Sequence, residues 1–154
     1  MEAKDLMIGD YAQVNREGIC INKDTVVRII SIDCSRSNLK LKGCAYCVSV
    51  VNEDDNGGVW LKYLDPIPLT PKILEKNGFK VYGESWYLPT DNESETVMVS
   101  FHMYNTIIDV KKGDDNFFKT VPCKYRSCAE NRHVFVHELQ NALRLCNIDK
   151  QIIL

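Results

Sequence analysis

VHELQNALRLC, residues 136–146, is the clearest helix in this sequence, and we predict that it covers a sheet formed by the strands before it. At about 100° per residue, apolar side chains recur here at the i, i+3, i+4 and i+7 spacing of a helix that packs on a core. The apolar set comprises Phe135, Leu139, Ala142, Leu143 and Cys146. The polar residues His137, Asn141 and Arg144 fall on the opposite side, which we predict to face solvent.

The same stretch comes close to a zinc-peptidase signature, because Asn141 stands where His-Glu-x-x-His has its second histidine. That signature aims two histidines at one metal, with the glutamate between them as general base. An amide is a poor zinc ligand, so we predict no catalytic residue here. His133 would align with His137 in a longer helix, although residues 134–136 favour a strand. His133 and His137 are therefore the candidate ligands if this stretch binds a metal.

Composition places the chain among globular proteins. Its 154 residues suffice for one domain or two small halves, and 45% of them are hydrophobic, which is too many for general disorder. No apolar run approaches the roughly 20 residues that cross a bilayer. The first ten residues lack the basic and apolar regions of a secretory signal. We therefore predict a cytoplasmic protein without a membrane partner.

The balance of charges argues against nucleic acid as a partner. Lysine and arginine together number 19, aspartate and glutamate 21, and the net charge is −2. A nucleic-acid surface needs a basic patch, and no run of lysine and arginine supports one. We predict a protein partner, and the oligomeric state stays open.

The seven cysteines are an odd number, which indicates a reducing compartment rather than a disulfide framework. Cys44 and Cys47 have the C-x-x-C spacing, and with Cys123 and Cys128 they would supply four thiolates for a structural zinc. The run after Cys47 alternates like a strand, however, and cysteine is often simply a small buried residue. We predict no cofactor, with Cys44 and Cys47 as candidate ligands if a structural metal is bound.

Residues 1–66 form the first part of the predicted architecture. Short apolar segments separated by turn residues predict a small antiparallel barrel or sandwich, and the Gly-Asp turn within residues 6–11 is typical of SH3-like barrels. Residues 53–58 are predicted to be a solvated loop rather than a calcium site, because they lack the ligand pattern of an EF-hand. Strands are predicted at 11–14, 17–21, 25–32, 39–41, 46–51 and 59–64.

Residues 67–78 are predicted to be a proline-rich connector and a short helix, and residues 79–154 an antiparallel sheet with the C-terminal helix. Thr70 caps the short helix, Pro71 occupies its first position and Gly78 ends it. The fold class is therefore α+β, with an SH3-like barrel, a central helix and a sheet that the last helix covers. Strands are predicted at 79–82, 85–88, 96–104, 106–110, 117–121 and, as an edge strand, 151–154.

Three residues are candidates for a binding surface. Trp60 and Trp86 are the aromatic residues best suited to recognition, although each lies in a predicted strand, where core packing is the alternative. Arg144 lies on the polar side of the C-terminal helix. If the protein binds a partner through its surface, these three residues are the candidates that the sequence offers.

Three blocks of the sequence resemble a group of short uncharacterised proteins from anaerobic gut bacteria and their phages and mobile elements. The blocks are DLMIGD (5–10), PIPLTPKILEKNGF (66–79) and VHELQNALRLC (136–146). Members of the group often have His-Glu-Leu-Gln-His in the third block, where this chain has Asn141. The resemblance implies a prophage or mobile-element origin and an accessory role, and it implies no particular activity.

These observations predict a non-enzymatic, cytoplasmic protein-interaction module that uses a barrel face or a sheet edge. Two alternatives stay open. One is a divergent or degenerate zinc-dependent hydrolase built on the HELQN helix at residues 137–141. The other is a nucleic-acid accessory protein, since SH3-like barrels sometimes serve that role.

Overall fold

The chain, in a computed structural model, divides into two compact units, Met1–Ile67 and Pro68–Leu154. The structure describes residues 7–16, 21–33, 47–51, 56–90, 96–102, 105–111, 119–120 and 134–154. Several residues of the sequence predictions lie outside these ranges: Cys44, Cys123, Cys128, His133, the strand at 39–41 and most of the strand at 17–21.

The first unit contains an antiparallel sheet of five described strands in the order β4-β3-β2-β1-β5. The strands are β1 (Tyr11–Val14), β2 (Val26–Asp33), β3 (Cys47–Val51), β4 (Asn56–Trp60) and β5 (Leu64–Asp65). Every neighbouring pair is antiparallel. The described strands form an open sheet and do not close into a barrel.

One face of this sheet carries the core of the first unit. Along β1, Ala12 and Val14 are buried while Tyr11 and Gln13 are only half-buried, as the alternation of a strand requires. Burying one large aliphatic side chain contributes about 1.5–3 kcal/mol. The buried cluster consists of Ala12, Val14, Ile21, Val27, Ile29, Val50, Val59 and Leu64.

The Gly-Asp turn ahead of β1 fastens that strand to β2. Gly9 has a φ of 92°, in the left-handed region that glycine adopts most readily. The buried carboxylate of Asp10 accepts a hydrogen bond from the backbone N–H of Met7 at 2.8 Å. The backbone of Ile29 in β2 donates to the Asp10 carbonyl at 2.8 Å and accepts from Gly9 at 2.7 Å.

The prediction for residues 53–64 is partly wrong. The strand that we expected at 59–64 begins earlier, at Asn56, and it ends at Trp60, where a 3₁₀ turn over Leu61–Tyr63 leads into β5. Gly57 and Gly58 pair with Val50 and Ser49 of β3. Pairing with β3 thus outweighs the low strand propensity of glycine.

The second unit contains an antiparallel sheet of five described strands in the order β10-β9-β8-β7-β6. Strands are present at the ranges predicted as 79–82, 85–88, 96–104 and 106–110, and neighbouring strands are antiparallel. The strands are β6 (Lys80–Tyr82), β7 (Ser85–Tyr87), β8 (Thr96–His102), β9 (Asn105–Lys111) and β10 (Lys119–Thr120). With two α-helices and two antiparallel sheets among the described residues, the fold is α+β.

The short helix α1, Pro71–Lys76, is confirmed in its start and its end. The Thr70 hydroxyl accepts a hydrogen bond from the backbone N–H of Ile73 at 3.4 Å, and Pro71 occupies the first helical position. Gly78 follows with a φ of 76°, the left-handed conformation that ends many helices. Local sequence signals therefore set the start and the end of this helix, and the buried side chain of Leu74 packs it against the rest of the unit.

Helix α2, Val136–Leu145, packs against β9 and covers the inner part of the second sheet. At its C-terminal end, the Cys146 thiol lies 3.9 Å from the Thr96 carbonyl oxygen and 3.8 Å from that of Lys111. Both carbonyls belong to the paired ends of β8 and β9. The predicted role of this helix as a cover is confirmed for β9.

The edge strand predicted at 151–154 is wrong. The backbone of Ile153 pairs with the side chain of Asn77 rather than with a strand. Asn77 donates to the Ile153 carbonyl at 2.7 Å and accepts from its N–H at 2.8 Å. A second bond from Asn77 to the Ile73 carbonyl at 2.8 Å ties the tail to α1. The amide side chain takes the place of a strand partner, and Ile152 beside it is buried.

Candidate functional site

His137 is buried, which corrects the prediction that it faces solvent. Its side chain is 1% exposed, and its ring stacks on that of Phe135 with centroids 5.9 Å apart. The connector pairs with the residues that precede α2: Leu69 donates a backbone hydrogen bond to the Val134 carbonyl at 2.8 Å, and Pro68 forms a bridge with Phe135. The backbone that leads into the first helical turn is thus paired with residues far away in sequence.

Glu138 closes the N-terminus of α2. Its Oε2 atom accepts a hydrogen bond from the backbone N–H of Phe135 at 3.0 Å. Phe135 has no side-chain acceptor, so this contact is the glutamate half of a capping box. A carboxylate here also interacts favourably with the helix dipole. Capping accounts for Glu138 without any role as a general base.

Arg144 is half-buried on α2, and its Nη1 atom donates to the Asn141 side-chain oxygen at 2.9 Å. This contact spans one helical turn and is typical of helix stabilisation. Arg144 therefore has a local structural role, and it stays a candidate for surface recognition.

The predicted metal ligands are not brought together by the described residues. Within the described part of the chain, no three His, Cys, Asp or Glu side chains are grouped so that they could hold a metal ion. Cys47 lies in β3, and Cys44 and His133 lie outside the described residues.

Trp60 is the last residue of β4 and is half-buried. Its register partner on β3 is Cys47. Because the preceding residue, Val59, is buried in the core, the pleat places Trp60 on the outer face of the first sheet. It therefore stays a candidate for surface recognition.

Trp86 belongs to an apolar row that crosses the second sheet and ends at its edge. The register aligns Ile108, Val99, Trp86 and Val81 side by side. Ile108 and Val99 are fully buried, Trp86 is half-buried and Val81 is 59% exposed. The core-facing row of the sheet thus continues into solvent at β6, three strands away from β9, against which α2 packs.

The backbone N–H and C=O groups of Val81 are directed away from β7. Tyr82 and Ser85 pair across a two-residue turn whose first residue, Gly83, has a φ of 61°, as a type II′ hairpin requires. The residues that flank such a turn are hydrogen-bonded to each other, and hydrogen-bonded pairs alternate along an antiparallel ladder. The N–H and C=O of Val81 are therefore directed outward, to the side where no described strand pairs with β6.

The other face of this hairpin is also aromatic and exposed. Tyr82 is 78% exposed and Tyr87 is 36% exposed, while Lys80, the register partner of Tyr87, is exposed beside them. Tyrosine presents a large apolar ring with a polar end, and for this reason it is enriched at protein interfaces. The β6–β7 hairpin thus offers apolar surface on both faces of an open edge.

Sequence reasoning identified Trp86 but missed Val81, Tyr82 and Tyr87. The signal was present, because KVY-GE-SWY is a hairpin in which apolar residues do not alternate with polar ones. A strand with one solvated face normally alternates. The missing information was that β6 is the last described strand of its sheet.

The chain matches no protein family, no curated protein and no solved structure with significant similarity. The two described helices are both much shorter than a bilayer is thick, and none of the described helices has the length and apolarity to span a membrane.

Proposed function

We propose that this chain is a protein-interaction module that binds an extended segment of a partner protein along strand β6. The proposal rests on one observation: the apolar row of the second sheet ends in an exposed Val81 whose backbone groups point outward. Strand addition uses such an edge, with main-chain hydrogen bonds for affinity and alternate side chains for specificity.

The edge defines the chemistry of the partner segment. The residue opposite Val81 would lie on the same face as Trp86, so an apolar side chain fits there. The residues on either side would face Lys80 and Tyr82, which favour a carboxylate and a cationic or aromatic side chain respectively. Each favourable cross-strand pair contributes about 0.2–1 kcal/mol.

A strand of three residues supports only a small interface. Interfaces that bury less than about 1,200 Å² are typical of weak and transient complexes. We therefore propose a reversible interaction in which the partner is exchanged rather than permanently held. This also suits an accessory protein of a mobile element, the origin that the three sequence blocks suggest.

The test is selection from a display library of random ten-residue peptides, followed by binding of the selected peptides to two variants. Val81→Pro removes the outward N–H and keeps the bonds between β6 and β7, so it should weaken binding by about tenfold or more. Val81→Thr keeps the N–H and the branched shape, and should change affinity by no more than about threefold.

Three outcomes would overturn the proposal. The first is a library that returns no peptide that binds the intact protein, and the second is a set of peptides that the Val81→Pro variant binds as tightly as the original chain does. Binding lost equally in both variants would also contradict it, because it would show that the side chain rather than the backbone edge is recognised. Circular dichroism of both variants verifies that the hairpin and its unit remain folded.

We also propose that the first unit is an SH3-like barrel and that the protein is cytoplasmic. Support for the barrel comes from the five antiparallel strands, in which the last strand lies beside the first and follows a 3₁₀ turn. Support for the location comes from the odd number of cysteines. The hydrolase alternative gains no support, because Glu138 caps α2.

A further inference from the structure

Strand β6 is complementary to a second copy of itself. It consists of Lys80, Val81 and Tyr82, and the pleat places Lys80 and Tyr82 on one face of the sheet and Val81 on the other. A second β6, antiparallel to the first about an axis beside Val81, would bring Lys80 against Tyr82 twice and Val81 against itself. Two-fold arrangements of this kind are the commonest in soluble homo-oligomers.

The backbone groups of Val81 fit this arrangement. Its N–H and C=O are directed outward, because Tyr82 and Ser85 form the hydrogen-bonded pair that flanks the hairpin turn. Two residues that face each other at a hydrogen-bonded site of an antiparallel pair exchange two N–H···O bonds. The Val81 residues of the two copies would therefore each donate to the carbonyl oxygen of the other.

The side chains of Lys80 and Tyr82 also match those of a second copy. They would face each other at non-hydrogen-bonded sites, where opposing Cα atoms are about 4.5 Å apart and side chains lie closest. An ammonium group over a tyrosine ring is a favourable contact, and both residues are exposed. Because Tyr87 of β7 is the register partner of Lys80 in its own chain, each lysine would have a tyrosine on either side.

The opposite face would gain a continuous apolar row. Val81 pairs with Trp86, and Trp86 pairs with the buried Val99. In the paired arrangement this row runs from the core of one copy, through the two Val81 side chains, to the core of the other. Val81 is largely exposed in the single chain, so pairing removes apolar surface from water, which favours association.

We propose that β6 pairs antiparallel with β6 of a second copy, Val81 opposite Val81, and that this pairing competes with the partner segment. The inference rests on the proposed function, because both occupants use the outward backbone groups of Val81. Three residues from each copy form a small interface, of the size typical of weak and transient complexes. The dimer therefore forms only in concentrated protein, and in dilute solution the edge is open.

The experiment is sedimentation equilibrium of the full chain at protein concentrations from about 10 μM to about 1 mM. We expect the average mass to rise reversibly from that of one chain toward that of two. Lys80→Glu should weaken self-association by about tenfold, because symmetry removes two cation–ring contacts at once. Tyr82→Lys should weaken it by more than about tenfold, because it places lysine opposite lysine twice.

A mixture of these two variants tests the register. In a mixed dimer the introduced glutamate faces the introduced lysine, and the unchanged Tyr82 of one variant faces the unchanged Lys80 of the other. The two variants should therefore associate with each other about tenfold or more tightly than either does with itself. Lys23→Glu, the same change of charge in an exposed turn of the first unit, is the matched control and should alter self-association by less than about twofold.

A mass that stays that of one chain at every concentration overturns the inference. So does a mixture that associates no better than its two components, because another surface would then form the dimer. Circular dichroism verifies that both variants are folded.

Peptides selected on the intact protein separate this inference from the proposed function. They should return the dimer to single chains, and dimers that persist at saturating peptide contradict a shared edge. If the chain stays single at every concentration and still binds peptides that Val81→Pro does not bind, the dimer is excluded and the proposed function stands. If no peptide is selected, the proposed function fails whatever the average mass.

Discussion

Strands β5 and β6 are the last strands, in the described order, of their respective sheets, yet they leave their apolar residues in opposite environments. In β5, Leu64 pairs with Val14 and is buried in the core, and the preceding Tyr63 is covered by Arg16 and Lys62. In β6, Val81 and Tyr82 are both largely exposed. Both edges combine an aliphatic residue with a tyrosine. The residues packed around an edge strand therefore decide whether its apolar side chains join the core or stay accessible to a partner.

Truncating the aliphatic residue of each edge strand tests whether the two residues differ in burial as described. Leu64→Ala should lower the free energy of unfolding by about 2–5 kcal/mol, because it leaves a cavity in the core of the first unit. Val81→Ala, at an exposed position, should change it by less than about 0.5 kcal/mol. Urea unfolding of both variants measures the difference. A loss for Val81→Ala as large as that for Leu64→Ala would show that the β6 edge is covered after all.

The helix that covers the inner strands of the second sheet offers a second test. His137→Ala should cost about 1–3 kcal/mol in metal-free buffer, because a buried ring stacked on Phe135 is removed. Asn141→Ala, one turn further along α2 and half-buried, should cost less than about 1 kcal/mol. Thermal unfolding with a chelator present distinguishes the two. Equal small losses would restore the prediction that both residues face solvent.

Asn77 offers a third test, because its side chain forms the hydrogen bonds with the Ile153 backbone that a neighbouring strand would otherwise form. Asn77→Ala removes two donated bonds and one accepted bond and should cost about 1–3 kcal/mol. Hydrogen exchange should show that the Ile153 amide loses its protection in this variant. Unchanged protection of that amide would contradict the role that we assign to Asn77. Thr70→Ala, which removes a cap at the other end of α1, is the matched control and should leave Ile153 protected.

The two helices show how far sequence reasoning reaches. For α1, the cap, the proline and the terminating glycine are adjacent in sequence, so its bounds are predicted correctly. For α2, the apolar spacing gives the extent of the helix and the burial of Leu139, Ala142 and Leu143. It gives no warning that His137 is buried too, because apolar spacing identifies one buried face of a helix and not what packs against its other side.

The remaining errors have the same origin. The C-terminal tail has the composition of a strand, but its partner is the Asn77 side chain, which no periodicity reveals. In β4, glycines that favour a loop nevertheless form part of a strand, because they pair with residues of β3. The residues of the proposed binding edge divide in the same way: Trp86 could be identified from its residue type, whereas the exposure of Val81 depends on the order of the strands, in which β6 is the last described strand.

The first experiment is hydrogen exchange at β6 in the protein without a peptide. It measures whether the Val81 amide has a hydrogen-bond partner before a peptide binds. The amides of Lys80 and Tyr82 point toward β7 and should be protected, while the Val81 amide between them should exchange at close to the rate of an unstructured peptide. That alternation is the predicted result, and a selected peptide should then slow exchange at Val81 alone among the three. A Val81 amide that is as protected as its neighbours before any peptide is added would contradict the account, because the edge would already have a partner.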